Sequence, residues 1–221
     1  MSIVNSGIDV ATDTGRLPRG GLVKRAFDVL AASALLVALL PLMLFIALAL
    51  YSFERGSVLY GHDRIGYRGR RFRCLKFRSM VPNSAEVLDR YLAQNAAARV
   101  EWEASQKLRH DPRITPVGKF LRVTSLDELP QLINVIRGDM SLVGPRPIVQ
   151  AEVARYGSNI EAYASTRPGI TGLWQVSGRS DVDYDRRVML DTTYVSNWSL
   201  PGDLLILCRT VKVVFSQAGS Y

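Results

Sequence analysis

The sequence predicts an α+β fold that is mainly helical and attached to a membrane. Three observations carry this. From Val29 to Phe53 there is no charged residue. Two short segments, 57–60 and 72–77, flank a Gly-rich stretch and have the length and composition of paired strands. Apolar residues recur at helical spacing over 84–108 and again over 126–136.

Residues 1–22 scatter Gly7, Gly15, Pro18, Gly20 and Gly21 among Ser, Thr, Asn and Asp, with no hydrophobic period. They read as a flexible tail. Residues 23–53 form the membrane segment. Within Val29–Leu50, thirteen of 22 residues are Leu, Ile, Val or Phe. These contribute on the order of −4 to −8 kcal/mol toward insertion. The run is too long and starts too late for a signal peptide. Soluble core helices rarely stay uncharged for this length.

Pro41 sits in the middle of the run, where proline removes a backbone donor and kinks a helix. Positive charge flanks both ends: Arg16, Arg19, Lys24 and Arg25 before it, then Arg55, Arg64, Arg68, Arg70 and Arg71 after it. The positive-inside rule therefore favours no crossing direction. A kinked hairpin with both ends cytoplasmic and a bent spanning helix both fit these facts.

Residues 54–221 then read as one membrane-associated domain. Its β element is a hairpin of Ser57–Tyr60 with Phe72–Phe77. From Gly61 to Met80 there are seven Lys/Arg and one Asp. Ser84–Leu108 carries Val87, Leu88, Tyr91, Leu92 and Val100, the spacing of one amphipathic helix. Leu126, Leu129, Ile133 and Ile136 mark a second, over Leu126–Ile136. Leu204–Phe215 is apolar, contains Arg209 and Lys212, and is too short to span. Preceded by Trp198, it suits an interfacial helix or a core helix equally.

A chain of 221 residues with formal charge +8 favours anionic partners, without choosing among nucleic acid, anionic lipid and phosphorylated substrates. Two cysteines, Cys74 and Cys208, make no disulfide framework. Gly118-Lys119 lacks the upstream glycine of a P-loop, and Gly66–Gly69 and Gly169–Gly172 lack the third glycine of a dinucleotide fingerprint. His62 and His110 are far from any cysteine pair, which argues against zinc.

The chemistry-bearing pattern is Ser125-Leu126-Asp127-Glu128-Leu129-Pro130-Gln131. Ser125 with Glu128 matches a capping box, and Pro130 is tolerated in a first turn. Adjacent helical residues point about 100° apart, so Asp127 and Glu128 need not act together. A carboxylate at a helix N-terminus also faces free N–H groups, which favours its anionic form and suits a nucleophile. An anion attacking a diphosphate meets about 4 kcal/mol of repulsion per unit pair at 4 Å and an effective dielectric near 20. Such a site needs Mg²⁺ or several cations. Lys76, Arg78, Arg122, Arg146 and Arg167 are the candidates, the last two held by Pro-flanked backbone. Arg64, Arg68, Arg70 and Arg71 read as membrane-surface charges, worth about 1 kcal/mol each on anionic lipid.

Six ordered stretches carry a resemblance: Lys24–Asp28, the Pro-broken apolar run, Lys76–Met80, Ser125–Leu132, Arg137–Pro147 and Arg167–Gly172. Together they resemble the bacterial sugar transferases, small monotopic phosphoglycosyl transferases, over residues 24–221. The chain looks closest to members that initiate exopolysaccharide synthesis from UDP-hexoses. The resemblance implies a Pro-broken re-entrant N-terminal helix, interfacial amphipathic helices, a cytosolic catalytic domain over residues 54–221 and residence on the cytoplasmic face of a bacterial inner membrane. It implies a ping-pong reaction between a UDP-sugar and a polyprenyl phosphate. Asp127 would be the nucleophile, with Mg²⁺ beside it, and Glu128 its acidic partner. Arg146 and Arg167 would line the phosphate site. The family often has serine before the hairpin proline, whereas here Leu40 precedes Pro41.

A non-enzymatic membrane-anchored adaptor for anionic lipid or nucleic acid would explain the charge and the anchor. It would not explain the Pro-clamped arginines or the Asp127-Glu128 pair, so no nucleic-acid partner is expected. The sequence does not name the hexose, and it leaves a homo-oligomer open.

Overall fold

The computed structural model describes residues 17–54, 56–105, 108–178 and 182–216. Most of the expected tail, residues 1–16, lies outside them. The last tail residues are held: Arg19 Nε donates to Val195 O at 2.7 Å.

Helix α1 spans Gly21–Phe53, 33 residues, or about 48 Å if straight. Among the described residues it is the one helix long and apolar enough to cross a membrane. Its most apolar 18-residue window has a mean hydropathy of 2.7, and 17% of that window is buried. So little burial is foreign to a core helix. Pro41 lies inside the helix and does not divide it into two elements. A proline removes its own donor while the bonds on either side remain.

Beyond Asp28 the helix is apolar all round, and its buried residues are Lys24, Asp28, Ala32, Met43, Ile46 and Leu50. Partly buried Leu36 and Leu39 fill the interval. These spacings of three and four place them on one stripe. Leu30, Val37, Leu44, Phe45, Leu48 and Phe53 point away and are exposed.

Strands β1 (Leu59–Ile65) and β2 (Arg71–Phe77) pair antiparallel, with Leu59 opposite Phe77 and Ile65 opposite Arg71. The expected hairpin is present, but its first strand runs on through Gly61 to Ile65. Registered partners share a face. Tyr60, His62 and Arg64 therefore stand beside Lys76, Cys74 and Phe72.

The single helix expected over Ser84–Leu108 is two: α2 (Ser84–Gln94) and α3 (Ala96–Ser105). Asn95 between them is extended, and its Oδ1 accepts from Ala98 N at 3.0 Å. An Asx cap competes here with helix continuation. Helix α4 (Pro116–Val123) starts on the Thr115 side chain, which accepts from Gly118 N at 2.9 Å. Gly118 touches the backbone of Ser79 so closely that a Cβ would collide with Ser79 O.

The helix expected over Leu126–Ile136 is also divided. A 3₁₀ turn covers Leu126–Glu128, and α5 covers Gln131–Arg137. Strand β3 (Ser141–Val143) follows, then short helices α6 (Val153–Tyr156) and α7 (Ile160–Ala164). Strand β4 (Gly169–Thr171) lies parallel to β3. Helices α8 (Tyr184–Ser196) and α9 (Leu200–Ser216) close the domain. Of α9, Asp203 and Ile206 are buried while Leu204, Leu205 and Val211 are exposed, so one side serves the core and the other does not.

Both halves of α1 pack on this one domain. Ala32 joins Leu132, Val135, Met140 and Val195, while Met43, Ile46 and Leu50 join Phe77 and Leu121. Polar contacts hold both ends. Lys24 Nζ donates to Asp203 Oδ2 at 2.6 Å, and Arg25 donates to Val135 O and Ile136 O at 2.6 and 2.8 Å. Asp28 Oδ1 accepts from Ser141 Oγ and Leu142 N. At the far end, Arg78 Nη2 donates to Glu54 O at 2.8 Å.

Candidate active site

The hairpin, α4 and the 3₁₀ turn converge on two adjacent carboxylates. Lys76 Nζ lies 2.6 Å from Glu128 Oε1 and 3.5 Å from Asp127 Oδ2. The lysine thus joins side chains that neighbouring positions would otherwise aim apart. The turn forms because Ser125 adopts the left-handed region, with φ 57°, a conformation disfavoured for non-glycine residues. Ser125 offers no side-chain cap. The expected capping box is absent: Glu128 bonds Lys76, and the chain turns too early for a box to close.

Asp127 lies in a 3₁₀ turn, not at the expected start of an α-helix, and no helix N-terminus lowers its carboxyl. Burial pushes its carboxyl above the ordinary range and Glu128 adds to this, against the pull of Lys76 and Arg122. Glu128 moves the other way. Burial opposes its charge, but Lys76, then Arg146 and Arg64, outweigh it and hold the carboxyl below the usual range. Burial would deprotonate Lys76, but Glu128 and Asp127 overcome it and raise its pKa. Two neighbouring carboxylates with pKa values driven apart are a pattern of acid–base sites.

The remaining candidates divide into two groups. Arg122 Nε donates to Ser79 Oγ at 2.8 Å and lies in the field of Asp127. Arg146, between buried Pro145 and Pro147, is exposed, sits 5.9 Å from the Trp174 ring centroid and acts on Glu128 and Lys76. Arg78 and Arg167 are placed elsewhere. Arg78 ties the C-terminus of α1 through Glu54 O. Arg167 Nε donates to Gly138 O at 2.8 Å, with Arg25 and Asp28 as its charged neighbours.

Sequence reasoning missed Arg64. Taken for a membrane-surface charge, its side chain is 16% exposed, bonds Pro147 O, and acts on Glu128 through its charge. The signal was the strand alternation, which puts it on the face of Lys76. A groove of about 440 Å³ beside α8, lined by Arg155, Asp185, Met189 and Thr193 among others, holds none of these residues.

A divalent cation can be tested against these donors. Among the described residues no three His, Cys, Asp or Glu groups cluster. Mg²⁺ does not require such a cage, since one or two carboxylates plus substrate phosphates suffice. Asp127 with Glu128 fits that set.

Residues 19–217 match the family model for bacterial sugar transferases. The chain belongs to the bacterial sugar transferase family. Among its sugar transferase relatives, the exopolysaccharide production protein ExoY of Sinorhizobium fredii is 51% identical over 96% of this chain and 94% of its own length. The undecaprenyl-phosphate galactose phosphotransferase of Salmonella typhimurium is 54% identical over 90% of this chain. The UDP-glucose:undecaprenyl-phosphate glucose-1-phosphate transferase of Caulobacter vibrioides is 40% identical over 94% of this chain and 76% of its own length. The chain spans only 42% of the length of the Salmonella sugar transferase.

Proposed function

We propose that this chain transfers hexose-1-phosphate from a UDP-hexose, galactose or glucose, to undecaprenyl phosphate, the first membrane step of exopolysaccharide synthesis. The observation that carries the reading is Lys76 bridging Asp127 and Glu128 inside a family whose named relatives act on these substrates. Asp127 attacks the sugar-linked phosphorus. The bond from that phosphorus to the bridging oxygen breaks, UMP leaves with the electron pair, and an aspartyl phosphosugar remains. A phosphate oxygen of the lipid then attacks the same phosphorus and frees Asp127.

Each residue has a part. Lys76 holds negative charge on both carboxylates and offsets their repulsion with incoming phosphates. Glu128, ionised by its cationic neighbours, accepts a proton from the lipid phosphate monoester. Arg122 and Arg146 present guanidinium donors to phosphate oxygens. Mg²⁺, held by Asp127 and Glu128, would supply further positive charge against the diphosphate.

The same reading places the chain as a monotopic protein of the bacterial inner membrane, with its active site on the cytoplasmic face and anionic lipid around it. Support comes from α1, which buries one stripe on a single domain and is tied to it at both ends. A crossing helix would carry one end about 30 Å away through the bilayer.

The test is incubation with UDP-galactose or UDP-glucose and Mg²⁺ without lipid acceptor. One equivalent of UMP should appear, with a hexose-phosphate adduct that peptide mass spectrometry places on Asp127. UMP release that strictly requires the acceptor would replace the covalent route with direct attack by the lipid phosphate.

A further inference from the structure

Arg64 occupies a position with the marks of a substrate-binding group. Its backbone neighbourhood is stitched to the loop that carries Arg146. Ile65 N donates to Ile148 O at 2.9 Å. The Tyr163 hydroxyl, on α7, donates to Ile65 O at 2.7 Å and accepts from Ile148 N at 3.2 Å. Tyr163, Ile65 and Ile148 are all buried. The strand end bearing Arg64 and the Pro145-Arg146-Pro147 segment are therefore one rigid unit. Arg64 Nη1 donates to Pro147 O at 3.1 Å, which aims the guanidinium along the Arg146 loop.

The side chain is not consumed by that bond. An arginine has five N–H donors, and Pro147 O takes one. The nearest carboxylate, Glu152 Oε2, is 3.9 Å away, beyond hydrogen-bond length. It already accepts from Val149 N at 2.9 Å. Arg64 and Arg146 repel one another, and both act on Glu128. Backbone, through Pro147 O, brings the Arg64 guanidinium to the Arg146 loop, and its acid neighbour Glu152 stands at 3.9 Å, so the pair suits an anion with several oxygens.

The register sets the span. Arg64 and Lys76 share a face of the hairpin, with Lys76 opposite Tyr60, four residues from Arg64. That separation is about 13 Å along the strand, which two long side chains cover from opposite ends. Lys76 sits on the carboxylates, and Arg64 lies farther out with Arg146.

We propose that Arg64 and Arg146 together clamp the diphosphate of the nucleotide-sugar donor, an assignment that rests on the transferase reading above. The donor is favoured over the lipid phosphate by location. Arg64 borders the core of Ile65, Ile148, Tyr156, Tyr163 and Val188, which contains no residue of α1. A lipid acceptor stays tethered in the apolar layer beside α1, and a soluble nucleotide does not.

The experiment separates the two half-reactions in full-length Arg64→Gln and Arg64→Lys protein, with UDP-galactose and UDP-glucose as donors. Single-turnover UMP release is measured against donor concentration without acceptor. Isolated adduct is then discharged with undecaprenyl phosphate. The half-saturating donor concentration should rise about 10- to 100-fold in Arg64→Gln. Arg64→Lys should recover only part of this, because an ammonium cannot reproduce the fork. Discharge by lipid should stay within about twofold of wild type. Arg64→Lys keeps a donor for Pro147 O, so an unchanged unfolding midpoint with weakened donor affinity identifies a clamp and not a strut. Wild-type donor dependence in both folded variants overturns the proposal. So does an equal loss in both half-reactions accompanied by a lowered midpoint. Wild-type enzyme that forms no adduct would instead sink the covalent route itself.

Discussion

Two lysine–carboxylate pairs with the same 2.6 Å separation serve opposite ends in this molecule. Lys24 meets Asp203 with side-chain exposures of 4% and 0%. Asp203 also accepts from Tyr194 OH at 2.8 Å and Trp198 Nε1 at 3.0 Å. Every direction around that carboxylate is filled by the protein. Lys76 meets Glu128 with exposures of 28% and 33%. It also reaches Asp127, which is 10% exposed and has no backbone or aromatic donor of its own among the described residues. The first pair is saturated and closed, and ties α1 to α9. The second is under-supplied with donors and open to a ligand. Bond length does not distinguish structure from chemistry, whereas the count of competing donors and the access of solvent do.

The sharpest way to break this comparison is to neutralise one carboxylate from each pair. Asp127→Asn should abolish sugar-phosphate transfer, by about 10⁴-fold or more, with an unchanged unfolding midpoint in detergent. Asp203→Asn should do the reverse. It leaves the buried Lys24 charge facing a neutral amide, at a cost of about 3–5 kcal/mol in stability. Its remaining folded fraction should turn over normally. Transferase activity retained in Asp127→Asn, with deamidation checked by mass spectrometry, would make that carboxylate another structural group.

Glu128→Gln asks whether the open pair works as a unit. Gln keeps the shape and an acceptor for Lys76, so folding should be normal. The rate of transfer to undecaprenyl phosphate should fall by about 10²-fold or more if Glu128 takes a proton. A near-normal rate would reduce Glu128 to an anchor for Lys76.

The smallest effect is expected at a third carboxylate, Asp191 on α8. It is 2% exposed, its Oδ1 is buried without a partner, and only Tyr156 OH donates to it, on Oδ2 at 2.8 Å. Burial pushes its pKa to about 7, against the bond from Tyr156 and the charge of Arg146. A folded-state value above the ordinary one of 3.8 stabilises the fold below pH 4, and that contribution is lost as pH rises through about 7. Asp191→Asn should therefore flatten the decline in unfolding midpoint between pH 4 and pH 7. An unchanged slope would show that Asp191 is compensated as fully as Asp203.

Local signals in the sequence were read well where the physics is local. The uncharged run identifies α1, and two short strand-like segments around a Gly-rich stretch identify the hairpin. Two helices were overextended. At Asn95 a side-chain cap outcompeted helix continuation, and at Ser125 a left-handed residue tightened the chain into a 3₁₀ turn. Apolar spacing continues across such interruptions, so periodicity alone does not reveal them.

Five cations were named from the sequence as phosphate ligands. Lys76, Arg122 and Arg146 stand around Asp127 and Glu128, while Arg78 and Arg167 hold backbone carbonyls at Glu54 and Gly138. All five lie in basic or Pro-flanked stretches of the chain. What sorts them is which strand face or loop they leave from. Arg64 was misread for the same reason, since its charge is local information and its neighbours 82 to 84 positions later are not.

By itself the sequence determined an apolar helix beside a basic α+β domain, and a carboxylate pair set among motifs shared with sugar transferases. These follow from composition, period and motif order, which act between residues close along the chain. Only the tertiary structure decided which lysine joins the carboxylates, which way each carboxyl pKa moves, and that α1 packs along its length on one domain. Those outcomes depend on burial and charge at distances of a few ångströms, between groups such as Lys24 and Asp203 that lie 179 residues apart. No local pattern carries that proximity. It exists only once the chain has packed.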